Sequence, residues 1–431
     1  MLLIRCRVAG HFVLQNSDWF TVHETRTTIT GPAGSGKSTL LKAMRSINPP
    51  SCQPIQAPFA AYPRHVSSGQ YTRRVIPAKK TAVIGVFICD NPLRDKLSAI
   101  DPDFMKTDRI EVGRRLDNSQ WVTYVEIAAS SRWSELAPEL AELRRRFPDS
   151  ADDRVLGPLW RQCETPAATD RIKGALASRC NELLDQLAAR ARDENDRALI
   201  RQAGFIVNRD ARFAAARQAT RQALPVFVYL QEDELLSATI DVGRIAGKMR
   251  QQEESPCSCA DLFFLELLGL DQFFLRQASA EQIALRLQED AVRLVSAGRL
   301  LGERLRKYLP DPGPHLSLTL TAGAITLHME SGQANNLRPP AIAGHWRWML
   351  SCAVSAWHIS EVQGRRPILL LDEPDASPGN REEKIELEAM LRRLSDSCQL
   401  VVCTAGEDFL ADSGKRCQLR QEGENGYRVS E

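Results

Sequence analysis

The most constraining feature of the sequence is a glycine-rich segment. Residues 31–38 read Gly-Pro-Ala-Gly-Ser-Gly-Lys-Ser and match G-x-x-x-x-G-K-[S/T] at every fixed position. A strand-like segment (26–30) precedes them, and an apolar helical pattern with Leu40, Leu41 and Met44 follows. Glycines let backbone N–H groups close on phosphates, and the next helix adds its positive end. We therefore predict a strand, a phosphate-binding loop and a helix.

The motif assigns expected roles to individual residues. Lys37 is expected to reach the β- and γ-phosphates of a nucleotide, Ser38 to hold Mg²⁺, and Thr39 to approach the α-phosphate. The other candidate phosphate-binding residues are Gly31, Pro32, Ala33, Gly34, Ser35 and Gly36. The alternative is a glycine-rich turn before a helix, without a ligand.

A second motif lies near the C-terminus. Residues 368–371 are fully apolar and end in Asp372, Glu373 and Pro374, as expected of a buried parallel strand that ends at a nucleotide. Asp372 is the second expected Mg²⁺ ligand. Glu373 is expected to orient the attacking water, because positioning and electrostatics supply most of phosphoryl-transfer catalysis. With Lys37, Glu373 is the candidate catalytic residue.

Composition excludes several classes of protein. The 431 residues are 43% hydrophobic and 26% charged, which is typical of a globular chain of two or three domains. The longest apolar runs have the size of strands, so no membrane helix is predicted. The N-terminus has arginines within its apolar start and is interpreted as a strand of a cytoplasmic protein. Eleven cysteines spread over this length are expected to be reduced, and Cys257 and Cys259 are the only close pair.

Basic residues are concentrated in the first 80 residues, which hold eleven Lys/Arg against Asp18 and Glu24. Such an excess attracts nucleotide phosphates or a nucleic-acid backbone. The candidate phosphate contacts are Arg73, Arg74, Lys79 and Lys80. The alternatives are solvated surface charge, or neutralisation by acidic segments that fold beside them.

The pattern of apolar residues divides the chain into three parts. Residues 1–130 are predicted to form a β-rich half with the phosphate loop, and residues 131–310 a mainly helical insertion. A strand-like run at 224–231 interrupts the insertion. Residues 311–431 are predicted to supply a hairpin, a helix from about 344, the apolar strand at 367–371, a charged helix and a last strand, 399–405.

The order GPAGSGKSTLLKAM, helices, ILLLDEP resembles the ABC-type ATPase heads of the RecF and SMC class. Three segments are similar to OLD-like ATPases: LPVFVYLQEDELLSATIDV, HLSLTLTAGAITLHMES and AGHWRWMLSCAVSAWH. The resemblance implies an α/β P-loop NTPase head of mixed β lobe and parallel core, with a helical insertion. It also implies ATP and Mg²⁺ as cofactors and a dimer, or a higher oligomer, formed through the ATP site.

The resemblance also assigns three further positions. Gly344 matches the signature helix, whereas Ala343 stands where a serine is expected; His345 is either a substitute phosphate donor or a packed helix-start residue. Gln70 is the best match to the Q-loop glutamine, with Gln53 and Gln56 as rivals. Ala405 replaces the histidine that related heads place after the last strand, which puts turnover in doubt more than binding.

Two functions remain open from the sequence. The first is an ATP-hydrolysing head that acts on DNA or as the sensor of an antiviral or mobile-element system. The second is a weakly active ATP-bound scaffold that restrains a partner. About 25 residues follow the last predicted strand, too few for a nuclease domain, so a nuclease or toxin effector is expected on another chain. A membrane-transporter subunit is disfavoured by the long insertion and the altered signature.

Overall fold

A computed structural model describes most of the chain as two compact units. The described residues are 1–11, 14–53, 80–151, 153–163, 166–253, 257–289, 302–309, 315–321, 323–330, 342, 344–406, 414–421 and 427–430. The first unit comprises Met1–Ile88, Glu111–Trp121 and Leu224–Glu431. The second comprises Cys89–Ile110 and Val122–Ala223.

The elements are numbered in chain order. The strands are β1 (Leu2–His11), β2 (Leu14–Asn16), β3 (Phe20–Thr21), β4 (Arg26–Thr30), β5 (Thr81–Ile88), β6 (Arg109–Arg115), β7 (Gln120–Tyr124), β8 (Val226–Leu230), β9 (Thr239–Asp241), β10 (His315–Thr321), β11 (Ala324–Glu330), β12 (Pro367–Asp372), β13 (Gln399–Thr404), β14 (Lys415–Gln421) and β15 (Tyr427–Ser430). The helices are α1 (Lys37–Arg45), α2 (Asn91–Ile100), α3 (Trp133–Arg146), α4 (Leu156–Cys163), α5 (Ala175–Ala188), α6 (Glu194–Val207), α7 (Arg209–Ala223), α8 (Val242–Arg250), α9 (Cys259–Leu267), α10 (Gln272–Gln277), α11 (Ala280–Glu289), α12 (His345–Trp357) and α13 (Arg381–Ser395).

The central sheet of the first unit has the order β15-β14-β4-β13-β12-β8. Strands β14, β4, β13, β12 and β8 are parallel, and β15 closes the sheet antiparallel to β14. Every residue of β8, β12 and β13 is buried, which explains their continuous apolar sequences. Helices α9, α12 and α13 supply apolar side chains to the same core, including Phe263, Met349 and Leu391.

The described residues form two other sheets. Strand β1 pairs antiparallel with β2, β3 and β5 in a sheet of order β2-β1-β5-β6-β7. The hairpin β10–β11 is extended by β9, through pairs such as Ile325 with Ile240. The antiparallel lobe and the parallel core confirm the predicted α/β layout of a mixed β lobe and a parallel sheet.

The second unit is mainly helical and has its own core. Helices α3 to α6 bury apolar residues at helical spacing, among them Leu136, Leu143, Leu183 and Leu187. Helices α6 and α7 follow each other directly, as Glu194–Val207 and Arg209–Ala223. The break occurs at Asn208, whose amide donates to the Gly204 carbonyl at 2.9 Å and so ends α6 with a side chain.

Several details differ from the sequence predictions. The strand at 399–404 is not the last, because β14 and β15 follow it. The segment 224–231 does return to the central sheet, as β8. The boundaries of the two compact units do not fall at residues 130 and 310. The division into 1–130, 131–310 and 311–431 stays a prediction. Within the described ranges, no helix combines the length and apolar character needed to cross a membrane.

The cysteines also differ from expectation. Cys52 and Cys259 form a disulfide that spans 207 positions of the sequence, so the prediction of uniformly reduced thiols is wrong for this pair. Nine cysteines are free, and all of them except Cys257 are buried. A pattern of spacing could not find this pair, because the first unit brings together residues from distant parts of the chain.

Candidate nucleotide-binding site

The phosphate loop lies between β4 and α1, and its shape depends on glycine. Gly34 has φ of 77° and Gly36 has φ of 92°, in the left-handed region where a side chain is strained. Gly31 is limited by space, because a Cβ there would lie 2.8 Å from the Ser35 Oγ and 3.0 Å from the Leu419 Cβ. Strand β14 therefore packs directly against the first glycine of the motif.

The N-terminus of α1 is open to an anion. Gly36 is its N-cap and offers no side-chain oxygen, and the first turn contains no acidic residue. The unpaired N–H groups and the positive end of the helix dipole are thus free to bind phosphate. The Ser35 hydroxyl is buried and has no hydrogen-bond partner among the described residues. A buried hydroxyl without a hydrogen-bond partner, beside a helix N-terminus, indicates a site for a polar ligand.

The buried amine of Lys37 contacts the backbone of the phosphate loop and the Glu373 carboxylate. Its side chain is only 4% exposed, and the amine lies 3.4 Å from the Glu373 Oε1. The amine also donates to the carbonyl oxygens of Gly31 at 2.8 Å and Pro32 at 3.1 Å. A buried ammonium requires such partners, because desolvation penalises an unpaired charge. The loop lysine and the candidate catalytic glutamate, far apart in sequence, are thus in contact.

Asp372 ends β12 as a buried carboxylate with one free oxygen. Its Oδ2 accepts a 2.7 Å hydrogen bond from the Tyr229 hydroxyl. Its Oδ1 is buried without a partner among the described residues. Burial, followed by the charge of Asp372, raises the pKa of Tyr229 well above its ordinary value, so the phenol stays a donor. A buried carboxylate oxygen without a donor is suited to a cation.

Glu373 has an unusual backbone conformation for a non-glycine residue, with φ 56° and ψ 49°. Its N–H donates to the Cys403 carbonyl at 2.8 Å, which fixes the bend to the neighbouring strand. Residues held in the left-handed region cost about 1 to 3 kcal/mol and concentrate at functional sites. The bend turns the Glu373 side chain, 48% exposed, toward Lys37.

The ends of the parallel strands bring these groups to one edge. Strand β13 lies between β4 and β12, with Thr404 beside Thr30 and Cys403 beside Asp372. With strands about 4.8 Å apart, the phosphate loop and Asp372 follow strands roughly 10 Å apart. A cavity of about 530 Å³ opens at this edge, lined by Gln231, Glu232, Asp233, Trp348, Asp372, Glu373, Ala376 and Ser377.

The remaining predicted residues have simpler environments. Pro32 and Ala33 are exposed at the tip of the loop, Ser38 is exposed on α1, and Thr39 is half-buried. Asp372, with its free oxygen, and the exposed Ser38 hydroxyl are compatible with Mg²⁺ as a ligand set of oxygen atoms. Gly344 caps α12 with φ 55° and is exposed. Gln70, Gln56 and Ala343 lie outside the described residues.

His345, the first residue of α12, is close to two carboxylates. Its ring nitrogens lie 3.4 Å from the Glu383 Oε2 and 3.1 Å from the Glu386 Oε2, and the residue is 7% exposed. Its ring also contacts Trp346, with centroids 5.5 Å apart. In this structure His345 is packed and paired with two carboxylates of α13.

The polar neighbours of Ala405 were not expected from the sequence. Ala405 is exposed and has no polar atom in its side chain. The preceding Thr404 hydroxyl donates to the Asp375 Oδ2 at 2.5 Å and accepts from the Gly406 N–H at 3.0 Å. The Asp375 Oδ1 is buried without a partner among the described residues.

Sequence reasoning missed Gln231 and Tyr229. Tyr229 lies in β8 and Gln231 directly follows it, and β8 pairs in parallel with β12 so that Leu230 lies beside Leu371. Gln231 therefore emerges at the same edge as Asp372 and lines the same cavity. The sequence did contain a signal for Gln231, because a mainly apolar strand-like run ends in this glutamine. The run ILLLDE indicated Asp372 in the same way. The rival Gln53 is buried and its amide donates to the Glu234 Oε2 at 2.7 Å.

Comparisons with known proteins were made for the sequence and for the fold. No family model and no curated protein matches the sequence. Among solved structures, an Smc head bound to the C-winged helix domain of ScpA has a TM-score of 0.42 and 12% identity, covering 100% of this chain and 98% of that chain. The SMC head domain from Thermotoga maritima has a TM-score of 0.40 and 11% identity, with coverage of 100% and 98%. The Pyrococcus furiosus Smc head with an extended coiled coil, bound to the C-terminal domain of ScpA, has a TM-score of 0.40 and 12% identity, with coverage of 100% and 96%.

Proposed function

We propose that this chain binds Mg-ATP at the edge formed by β4, β12 and β8, and hydrolyses it. One observation carries the proposal: the buried amine of Lys37 contacts Glu373, and the neighbouring Asp372 keeps a buried oxygen free. A structural ion pair alone gives no reason for that free oxygen or for the unpaired Ser35 hydroxyl. A nucleotide with its metal satisfies both.

Each side chain then has a role that follows from its chemistry. The loop N–H groups and Lys37 bind the phosphates, and Asp372 with Ser38 would hold Mg²⁺. The bound metal would supply positive charge that stabilises the transferred phosphoryl group. Glu373 orients the attacking water. Gln231 is a further candidate for binding that water or the metal shell, because it lines the cavity with Asp372 and Glu373.

Nucleotide binding also changes the partner of Glu373. The phosphate charge competes with the Glu373 carboxylate for Lys37, and Glu373 is exposed enough to move away. An ion pair with one half-exposed partner contributes little, of order 1 kcal/mol or less, so its loss does not oppose binding strongly. The carboxylate released from Lys37 is then available to a water molecule.

We further propose that two chains associate around ATP in the cytoplasm and act on DNA, or as the ATPase sensor of an antiviral or mobile-element system with a separate effector. The support is the resemblance of the motif order to the RecF, SMC and OLD classes. The exposed cap of α12 at Gly344 is the candidate surface for the second chain. Of the four basic residues named for nucleic acid, Lys80 lies within the described residues and is exposed.

A second candidate function is an ATP-bound scaffold with little turnover, which restrains a nuclease or toxin. Two observations favour it. His345 is paired with carboxylates of α13. Ala405 supplies no polar group where related heads place a histidine.

The test of binding is a titration with a fluorescent ATP analogue in the presence of Mg²⁺. Lys37→Ala should weaken affinity about 10- to 100-fold, because it removes hydrogen bonds to a charged group. The matched control is Lys384→Ala, which removes an exposed lysine of the same unit. Equal affinity in Lys37→Ala and the control would refute the proposed site.

Turnover and association are measured on the same proteins. Glu373→Gln should abolish hydrolysis, keep ATP binding and shift the chain to a dimer on light-scattering chromatography with Mg-ATP. Turnover is compared with and without double-stranded DNA at a fixed salt concentration, because phosphate contacts weaken as salt rises. Stimulation by DNA supports the DNA-acting head. Tight binding with negligible turnover in either condition supports the scaffold, and a monomer under all conditions refutes the dimer.

A further inference from the structure

Tyr229 occupies a position that the roles assigned so far do not explain. It is the fourth of five residues in a strand that is buried at every residue, and it is itself only 1% exposed. Apolar residues fill the other four positions of β8. A buried phenol needs a partner for its hydroxyl, so its presence here costs free energy unless the hydroxyl is used.

The hydroxyl contacts two polar side chains at the edge of the sheet. Its oxygen lies 2.7 Å from the Asp372 Oδ2 and 2.7 Å from the Gln231 Oε1. A phenol has one proton, whereas a carboxylate only accepts and an amide can present either its oxygen or its NH₂ group. Both contacts are satisfied when the hydroxyl donates to Asp372 and accepts from the amide of Gln231. One donor thus fixes one oxygen of Asp372 and leaves the other free.

The ring is held from the other side by the helix that follows the phosphate loop. The Lys42 amine lies 5.4 Å and the Arg45 guanidinium 5.8 Å from the Tyr229 ring centroid. Both cations project from α1 over the aromatic ring, which is an attractive arrangement. The phenol is therefore positioned by β8 and by α1 together.

From this geometry we propose that Tyr229 is a positioning residue, whose hydroxyl orients Asp372 so that the free Oδ1 binds the metal of Mg-ATP. This inference rests on the proposed function. Donors that orient a metal-binding carboxylate typically contribute 10- to 100-fold to metal affinity. Tyr229 should have little effect on nucleotide binding without metal, because its hydroxyl is bonded to Asp372 and Gln231 at the other end of the site.

The test separates metal binding from nucleotide binding. Mn²⁺, detected by electron paramagnetic resonance, is titrated into the full chain saturated with ATPγS, and metal-free nucleotide affinity is measured in EDTA. Tyr229→Phe should weaken Mn²⁺ binding about 10- to 100-fold and leave metal-free nucleotide affinity within about 2-fold. Tyr308→Phe is the control, because Tyr308 is equally buried and its hydroxyl donates to a different carboxylate, Glu361, at 3.2 Å.

The outcomes distinguish the inference from the proposed function. Unchanged Mn²⁺ affinity in Tyr229→Phe overturns the positioning role, as does an equal loss of metal-free nucleotide affinity, which indicates general damage. Tyr229→His, which keeps a ring with an N–H donor, is the second variant and should retain Mn²⁺ affinity within about 10-fold. If Tyr229→His loses as much Mn²⁺ affinity as Asp372→Ala does, the proposal is overturned. Failure of the unsubstituted chain to bind ATPγS refutes the proposed function instead.

Discussion

The side chain of Gln399 offers a strong test of how the first unit is held together. It is fully buried at the start of β13. Its Oε1 accepts from the Leu3 N–H at 3.0 Å, and its Nε2 donates to the carbonyl oxygens of Leu3 at 2.7 Å and His23 at 2.9 Å. One amide thus connects the antiparallel lobe to the parallel sheet.

Gln399→Leu keeps a similar volume but leaves these backbone groups unpaired. Leu3 is fully buried and His23 is half-buried, so two of the three groups lose their partner away from water. At about 1 to 3 kcal/mol for each buried group, we expect a loss of about 3 to 4 kcal/mol in the free energy of unfolding. The first unit of about 300 residues has an unfolding entropy near 0.6 kcal/mol per kelvin, which converts this loss to about 5 to 6 °C.

The assay is urea unfolding together with thermal unfolding of the full chain. The midpoint should fall while the slope with denaturant is unchanged, because the native state stays compact. The control is Gln288→Leu, which alters an exposed glutamine of α11 in the same unit and is expected to change stability by about 0.5 kcal/mol or less. A shift in Gln399→Leu no larger than that of the control refutes the reasoning.

Two further predictions concern covalent and electrostatic contributions to stability. Thiol titration of the denatured chain should count nine thiols before reduction and eleven after it, because Cys52 and Cys259 are bonded; eleven at once would contradict the pairing. Reduction should also lower stability, by up to about 5 kcal/mol in the chain-entropy model. A backbone N–H and the Arg146 guanidinium lower the pKa of Asp196, so its contribution is complete above the ordinary carboxylate pKa and is lost as pH falls through the lowered value. Asp196→Asn should therefore lower the free energy of unfolding at neutral pH and make it depend less on pH in the acid range. The control, Asp185→Asn at an exposed position, should have neither effect.

Much of the fold could be predicted because its strands carry strong local patterns. The strand-like, mainly apolar runs at 224–231, 367–371 and 399–405 all became strands of the central sheet. Their order in the sheet could not be predicted, since a buried parallel strand has no alternating face to indicate its neighbour. The last two strands were missed because Lys415–Gln421 and Tyr427–Ser430 are rich in polar residues, and because the pairing of β14 with β4 is a long-range contact.

The site shows the same division between local and long-range information. The expected roles of Lys37 and Asp372 follow from short motifs, because each motif contains the residues that shape its own backbone. The assignment of Gln70 depended on order along the chain, and it stays a prediction outside the described residues. Gln231 became evident only from the pairing of β8 with β12.

The end of β13 shows why a single missing residue is weak evidence about the chemistry of such an edge. In a parallel sheet, all strands end on the same side, so the polar side chains that follow them converge whatever their order in the sequence. Ala405 lacks a polar group, yet Thr404 is hydrogen-bonded to Asp375, which retains a buried oxygen without a partner among the described residues. Asp375 lies in the turn that begins at Glu373, whose N–H is bound to Cys403. The two contacts with β13 fix the turn that carries the candidate catalytic carboxylate, so the absence of a histidine at 405 removes one donor and leaves that positioning intact.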